Sequence, residues 1–112
     1  MNKENENLLE QLQVTEHNLQ NLALQKQVFQ LELLEVTNAI EELEKMKGEE
    51  VYKIIGSAMF RAEKNELKKE LKKKIEVMEL RIKAIEKQEE ELRKKLLKAR
   101  ALFLKQRKVE KK

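Results

Sequence analysis

Leucine, isoleucine and their apolar relatives recur along this chain at alternating steps of three and four residues, in two blocks separated by a stretch that breaks the rhythm. In the first block the repeating positions are Leu8, Leu12, Thr15, Leu19, Leu22, Lys26, Phe29, Leu33, Val36, Ile40 and Leu43. In the second they are Leu71, Ile75, Met78, Ile82, Ile85, Glu89, Leu92, Leu96, Ala99, Phe103 and Gln106. Nine of eleven positions are apolar in each block, over roughly five heptads, more than the three or four that mark a coiled coil. Between the blocks, Gly48 follows the basic run Lys45-Met46-Lys47 and reads as a helix stop. Val51-Tyr52-Lys53-Ile54-Ile55 is β-branched and aromatic, Gly56-Ser57 suits a two-residue turn, and Ala58-Met59-Phe60-Arg61-Ala62 is a weaker strand. The predicted fold class is therefore mainly α: an antiparallel two-helix coiled coil, or helical hairpin, with a short β-hairpin between the helices. The predicted boundaries within one domain are 1–47 for the first helix, 48–63 for the hairpin and 64–112 for the second helix.

A two-stranded hairpin is marginal alone and exposes two unpaired edges. Pairing with hairpins of other subunits in an inter-subunit β-barrel removes the edges. The expected oligomerisation residues are Val51, Tyr52, Ile54, Ile55, Met59 and Phe60, with Ile54, Ile55, Met59 and Phe60 expected to be buried when the barrel closes.

Composition changes the picture by excluding a globular core. Of 112 residues, 41% are charged and 4% aromatic, too polar for a compact domain, while the absence of proline and the presence of only two glycines favour long helices. Charge is divided unevenly: residues 1–50 carry 4 Lys and 11 Glu, a net −7, and residues 51–112 carry 21 Lys plus Arg and 10 Glu, a net +11. Two halves of opposite sign attract when laid side by side, which argues for pairing within the chain. Each seam has one charged interruption, Lys26 and Glu89, placed to answer each other when the chain folds back on itself; such a pair sets register more than it adds stability. Outside the seam, Glu70/Lys74, Glu79/Lys83, Glu90/Lys94 and Glu91/Lys95 lie at i,i+4 with Glu first, the favourable order.

With these residues in view, the chain resembles a known family, the β subunits of archaeal prefoldin. The resemblance rests on Val51-Tyr52-Lys53-x-x-Gly56 with its short hairpin, on Glu66-Leu67-x-x-Glu70-Leu71, and on Ile82-x-x-Ile85-Glu86-Lys87-Gln88-Glu89-Glu90, with Gln25-Lys26-Gln27 in the first helix. It is best over residues 19 to 98. It implies a hexamer of two α-type and four β-type subunits with a double β-barrel body and six coiled-coil arms. It further implies ATP-independent holding of unfolded polypeptide clients and their transfer to a group II chaperonin. The single hairpin fits the β class. The N-terminus lacks the prolines common at the start of family members, and the second helix is unusually basic.

Surfaces for an unfolded chain are sought where apolar residues exceed the needs of the seam, since such excess marks interaction sites. Near the helix ends the client-binding candidates are Leu8, Leu9, Leu12, Val14, Leu102, Phe103, Leu104 and Val109, with Leu97 also off the seam. The plainer reading of each is that it finishes the coiled coil. Leu24, Val28, Leu31, Leu34, Val77 and Leu80 form a second off-seam group, read as packing against a neighbouring subunit.

Other function classes find little support. His17, the only histidine, falls on an outward position with no nucleophile arranged around it, and Asp and Cys are absent, so neither an enzyme nor a metal site is expected. No glycine-rich phosphate loop occurs, and no cofactor is expected. Without cysteine, a basic leader or a long apolar run, the chain is expected to be cytoplasmic and without membrane contact. Nucleic-acid binding through Lys72-Lys73-Lys74 and the run from Arg93 to Lys112 is the competing class. Interleaved Glu and the scarcity of aromatics count against it, and no nucleic-acid partner is expected. A coiled-coil spacer would explain the heptads but not the strands.

Overall fold

The computed structural model describes residues 3–110, with side chains described as far as Arg107. The element order is α1 (Lys3–Lys45), β1 (Glu50–Ile55), β2 (Ala58–Glu63) and α2 (Lys64–Glu110). All eleven seam positions read from the spacing on α1, and all eleven on α2, are buried or half-buried. A 3.6-residue helix carries positions three and four apart on one stripe, and taking that stripe out of water supplies most of the stability of such helices. The chain divides into two compact units, a terminal unit of residues 1–27 and 83–112 and a hairpin unit of residues 28–82.

In the terminal unit the helices run antiparallel. Lys26 Nζ lies 2.8 Å from Glu89 Oε1, and Arg100 Nη2 lies 2.8 Å from Glu16 Oε1, so moving back along α1 means moving forward along α2. The two seam charges therefore meet as their positions suggest. Glu89 is nearly buried, its side chain 4% exposed, whereas Lys26 is 23% exposed, and Arg93 approaches the second Glu89 oxygen at 4.0 Å. The seam also begins one layer earlier than its apolar positions indicate, at Asn5, which is fully buried. Asn5 lies seven residues before Leu12 and occupies the same heptad position, but a polar residue there does not register as part of an apolar pattern. The seam of this unit thus mixes small or polar residues, Asn5, Thr15, Ala99 and Gln106, with the apolar Leu8, Leu12, Leu92, Leu96 and Phe103.

In the hairpin unit the helices are again antiparallel, since Lys68 pairs with Glu44 at 2.9 Å and the Arg81 guanidinium sits 5.6 Å from the centre of the Phe29 ring. α1 ends at Lys45, and the chain turns through Gly48 with φ 98°, a conformation open to glycine at little cost. The open end of α1 is closed by the first residue of α2: Lys64 Nζ donates to the Met46 carbonyl at 2.7 Å, and its backbone N–H donates to the Glu49 carbonyl at 2.7 Å. The strands pair antiparallel from Glu50↔Glu63 to Ile55↔Ala58, each one residue longer than its apolar run suggests. Gly56 has φ 61° while Ser57 keeps a negative φ, which defines a type II′ two-residue turn matched to the twist of the strands.

Removing Lys26 should cost more than removing Glu89, because Lys26→Met strands a buried carboxylate whereas Glu89→Leu leaves an ammonium free to reach water. A fully buried uncompensated charge costs about 3–5 kcal/mol, and the partial exposure of Lys26 with Arg93 nearby places Lys26→Met at the lower end of that range. The double variant Lys26→Leu/Glu89→Leu should be at least as stable as the parent. Urea unfolding of the three variants checks the order.

Candidate interaction surfaces

In the hairpin, successive residues of a strand point to opposite faces, so the register divides the side chains into two sets. Val51, Lys53, Ile55, Ala58, Phe60 and Ala62 share one face; Glu50, Tyr52, Ile54, Met59, Arg61 and Glu63 share the other. The first face is turned towards the helices. Val51 is 6% exposed, Ala62 is half-buried, and Lys53 Nζ reaches Glu70 Oε2 on α2 at 3.7 Å. Glu70 therefore turns to the hairpin rather than to Lys74 along its own helix, because a half-buried ammonium on the strand needs a carboxylate more than an exposed lysine does. On the second face Glu50 and Glu63 are direct cross-strand neighbours of like charge, and Arg61 Nε answers Glu50 at 3.6 Å.

Five of the six expected oligomerisation residues, Tyr52, Ile54, Ile55, Met59 and Phe60, are exposed, Ile54 as far as 70%. Val51 is different: its side chain is already inside its own chain, where it seats the hairpin on the helices. Ile54, Ile55, Met59 and Phe60, expected to be buried on assembly, divide between the two faces of the hairpin. Ile54 pairs with Met59 on one face, while Ile55 and Phe60 lie on the other. A sheet face that closes inward takes one of these pairs and leaves the second outside. Both edges of the two-stranded sheet lack a strand partner in the single chain.

In the terminal unit the expected client-binding residues separate into two kinds. Leu12 is buried and Leu8 and Phe103 are half-buried, all three as seam residues, so they hold the helices together. Leu9 lies off the apolar repeat yet is half-buried. Val14, Leu102 and Leu104 are more than half exposed, as is Leu97. The Val109 side chain lies outside the described residues. These exposed apolar groups stand among cations: Arg93, Lys94, Lys95, Lys98, Arg100, Lys105 and Arg107 follow one another with no acidic residue between them. Lys94 is paired with Glu90 at 3.5 Å and Arg100 with Glu16, whereas Lys95, Lys98, Lys105 and Arg107 have no ion pair among the described residues.

Beside the seam of this unit lies a hollow of about 450 Å³. Thr15 and Ala99, two small seam residues, border it, and its charged lining consists of Glu10 and Lys95. No apolar excess signals it, because it arises from side chains that are missing rather than present; two small residues at seam positions are the available clue. Among the described residues, no three His, Cys, Asp or Glu side chains cluster to hold a metal ion, and no helix is long and apolar enough to cross a membrane.

A pair of antiparallel helices whose connection is a strand hairpin with uncovered edges and two apolar faces belongs to the class of coiled-coil subunits that assemble through their hairpins. Comparison with known proteins narrows the class. The family model for prefoldin subunits matches residues 6–107. Prefoldin subunit beta of Thermococcus onnurineus is 41% identical over 90 residues, covering 80% of this chain and 78% of that protein. Prefoldin subunit beta of Archaeoglobus fulgidus is 38% identical over 89 residues, covering 79% and 77%. The crystal structure of the prefoldin beta subunit from Thermococcus strain KS-1 superposes with a TM-score of 0.84 at 36% identity, covering 91% of this chain and 90% of that one. The chain belongs to the prefoldin family of chaperone subunits, and the relatives it matches are β subunits.

The Lys68 ammonium, hydrogen-bonded to Glu44, holds the Glu44 carboxyl below its ordinary range, with Lys72 and Lys64 adding attraction and slight desolvation opposing. A carboxyl depressed in the folded state contributes stability that is present above its unfolded value, near pH 4.5, and is lost as pH falls through the folded value. NMR titration should place the Glu44 carboxyl below the ordinary glutamate value. Lys68→Met, or salt near 1 M, where the Debye length falls to about 3 Å, should move it back up.

Proposed function

We propose that this chain is a subunit of an ATP-independent holding chaperone, with assembly at the hairpin and client capture near the free helix ends. Its hairpin edges pair with those of other prefoldin subunits, α-type and β-type, in a hexamer of two and four. The observation that carries this reading is where the uncovered apolar surface lies. The helices take their seam leucines out of water, and outside the seam apolar side chains stay open at three places: Leu24, Val28, Leu31, Leu34, Val77 and Leu80 along the helices, Tyr52, Ile54, Ile55, Met59 and Phe60 on the hairpin, and Val14, Leu97, Leu102 and Leu104 in the terminal unit. Exposed apolar groups in such concentrations mark places where another chain sits. The hairpin and the terminal unit differ in chemistry. The hairpin presents unmade backbone hydrogen bonds, which ask for a partner strand of fixed register. The terminal unit presents separate apolar side chains on a cationic helix, which can touch many sequences weakly. Several such ends acting on one client convert weak contacts into retention by effective concentration, with no need of nucleotide hydrolysis.

Release then depends on competition rather than on a chemical step, which suits transfer of the client to a group II chaperonin in the cytoplasm. A spacer built from the same heptads would have no use for leucines on its solvent face.

The two regions should be separable by mutation. Ile54→Glu/Met59→Lys should reduce the assembled mass measured by light scattering to that of small species. Val14→Ser/Leu102→Ser/Leu104→Ser should leave the mass unchanged, since exposed substitutions usually alter stability by no more than about 0.5 kcal/mol. The latter variant should lose most of the parent's suppression of aggregation of a chemically unfolded protein, assayed without ATP. Undiminished suppression would sink the assignment of the helix ends as client sites.

A further inference from the structure

The helices of the hairpin unit carry spare apolar residues away from the hairpin itself. Counting heptads from Leu12 and Leu96 as a, Val28, Leu31 and Leu34 fall at c, f and b of α1, and Val77 and Leu80 at c and f of α2. These heptad positions point away from the partner helix. All five side chains are exposed, Leu80 as far as 67%. The helix pair therefore has an apolar strip on each of two outward sides. Exposed leucines scattered singly need no explanation, but these recur with the period of the helix.

The surroundings of the two strips are opposite in charge. From Gln27 to Glu44, α1 has five glutamates and no cation, whereas α2 from Lys68 to Lys83 has seven cations and three glutamates. Glu35 and Glu41 beside the first strip, and Lys69 and Lys73 beside the second, are exposed and have no ion pair among the described residues. Glu70, on the same side of α2, is engaged with Lys53, which leaves Glu76 as the one uncommitted carboxylate there. Heights match as well. α1 ends at Lys45 and α2 begins at Lys64, on either side of the same hairpin. At 1.5 Å per residue, Glu41 and Lys69 both lie about 6–8 Å from those ends, Glu35 and Lys73 about 14–15 Å, and Leu31 and Leu80 about 21–24 Å. Subunits that meet at their hairpins and project the same way bring equal heights side by side.

We infer that the outward face of α1 in the hairpin unit docks on the outward face of α2 of a second copy of this chain. Leu31 and Leu34 of one copy meet Val77 and Leu80 of the next, with Glu35 and Glu41 set against Lys73 and Lys69. The inference rests on the hairpin assembly proposed above and adds a second contact beside it. Because the two faces differ, the contact is heterologous: each copy gives its α1 face to one neighbour and receives on α2 the α1 face of another. Copies that presented like faces would set glutamate against glutamate or lysine against lysine, which disfavours that arrangement. The strips are too small to join copies alone, since a stable interface buries about 800 Å² per partner. Their effect is to fix the angle at which neighbouring helix pairs leave the hairpin junction.

The chain has no cysteine, so a single introduced thiol reports its own neighbours. Full-length Leu31→Cys and Leu80→Cys chains are mixed, allowed to exchange and treated with a short bis-maleimide, and covalent dimers are read on a denaturing gel. The mixture should yield dimers linked between positions 31 and 80, several-fold more than either chain alone. Adding Glu35→Lys/Glu41→Lys to the Leu31→Cys chain should cut that yield several-fold. Adding Lys69→Glu/Lys73→Glu to the Leu80→Cys chain as well should restore it, a recovery that no folding defect produces. Equal yields in the mixture and in the single chains, or no recovery when both charge sets are reversed, overturn the contact. Absence of the link between 31 and 80 while light scattering shows an intact assembled mass overturns the contact and leaves hairpin assembly standing. A chain that stays monomeric up to its solubility limit also overturns the contact, and only failure to join an α-type subunit then removes the hairpin reading.

Discussion

Two stripes of leucine, isoleucine and methionine must leave water together, because helices this polar gain too little from their own hydrogen bonds to persist separately. That shared burial positions everything else. It brings Lys26 to Glu89 and Glu16 to Arg100, and it aligns the end of α1 with the start of α2 so that Lys64 can close the helix end and seat the hairpin. It also decides which apolar residues are spare. Val14, Leu102 and Leu104 are open to solvent because the stripe is full without them.

The polar members of the seam act differently from the apolar ones. A leucine layer accepts several registers at similar energy, whereas a buried carboxylate at Glu89 accepts only the one in which Lys26 stands beside it. The division of charge between the halves works in the same direction at longer range, since the acidic first helix is complemented by the basic second. The two units differ in this respect. In the terminal unit Asn5, Thr15 and Glu89 are buried beside Leu12, Ile85 and Leu96, whereas the buried residues of the hairpin unit, Leu43, Val51, Met78 and Ile82, are all apolar.

Most of this fold was legible in the amino-acid pattern because the coiled coil is governed by local spacing. Positions three and four apart share a stripe whatever else the chain does, and Gly56-Ser57 between two β-prone runs leaves few alternatives to a hairpin. Features that depend on three-dimensional choice were less legible. Glu70 has Lys74 available on its own helix and Lys53 across the fold, and only the seating of the hairpin decides between them. Asn5 continues the repeat but lacks the apolar character by which the repeat is recognised. Val51 and Ile54 look alike as β-formers, yet alternation sends one to the helices and leaves the other exposed. Leu12 and Val14 look equally available near the chain start, yet heptad position buries the first and exposes the second. The hollow by Thr15 and Ala99 is an absence of volume, which no apolar count reveals.

The apolar pairs on opposite faces of the hairpin tie its folding to concentration. Ile54 with Met59 and Ile55 with Phe60 are open in the single chain, so any partner that covers them binds the ordered hairpin in preference to the unfolded segment. By mass action such a partner adds RT ln(1 + [L]/Kd) to the stability of the strands. Dilution withdraws that contribution, and the two strands of a lone chain rest on the Val51 seat, the type II′ turn and the lysines that reach from hairpin to helix and from helix to loop.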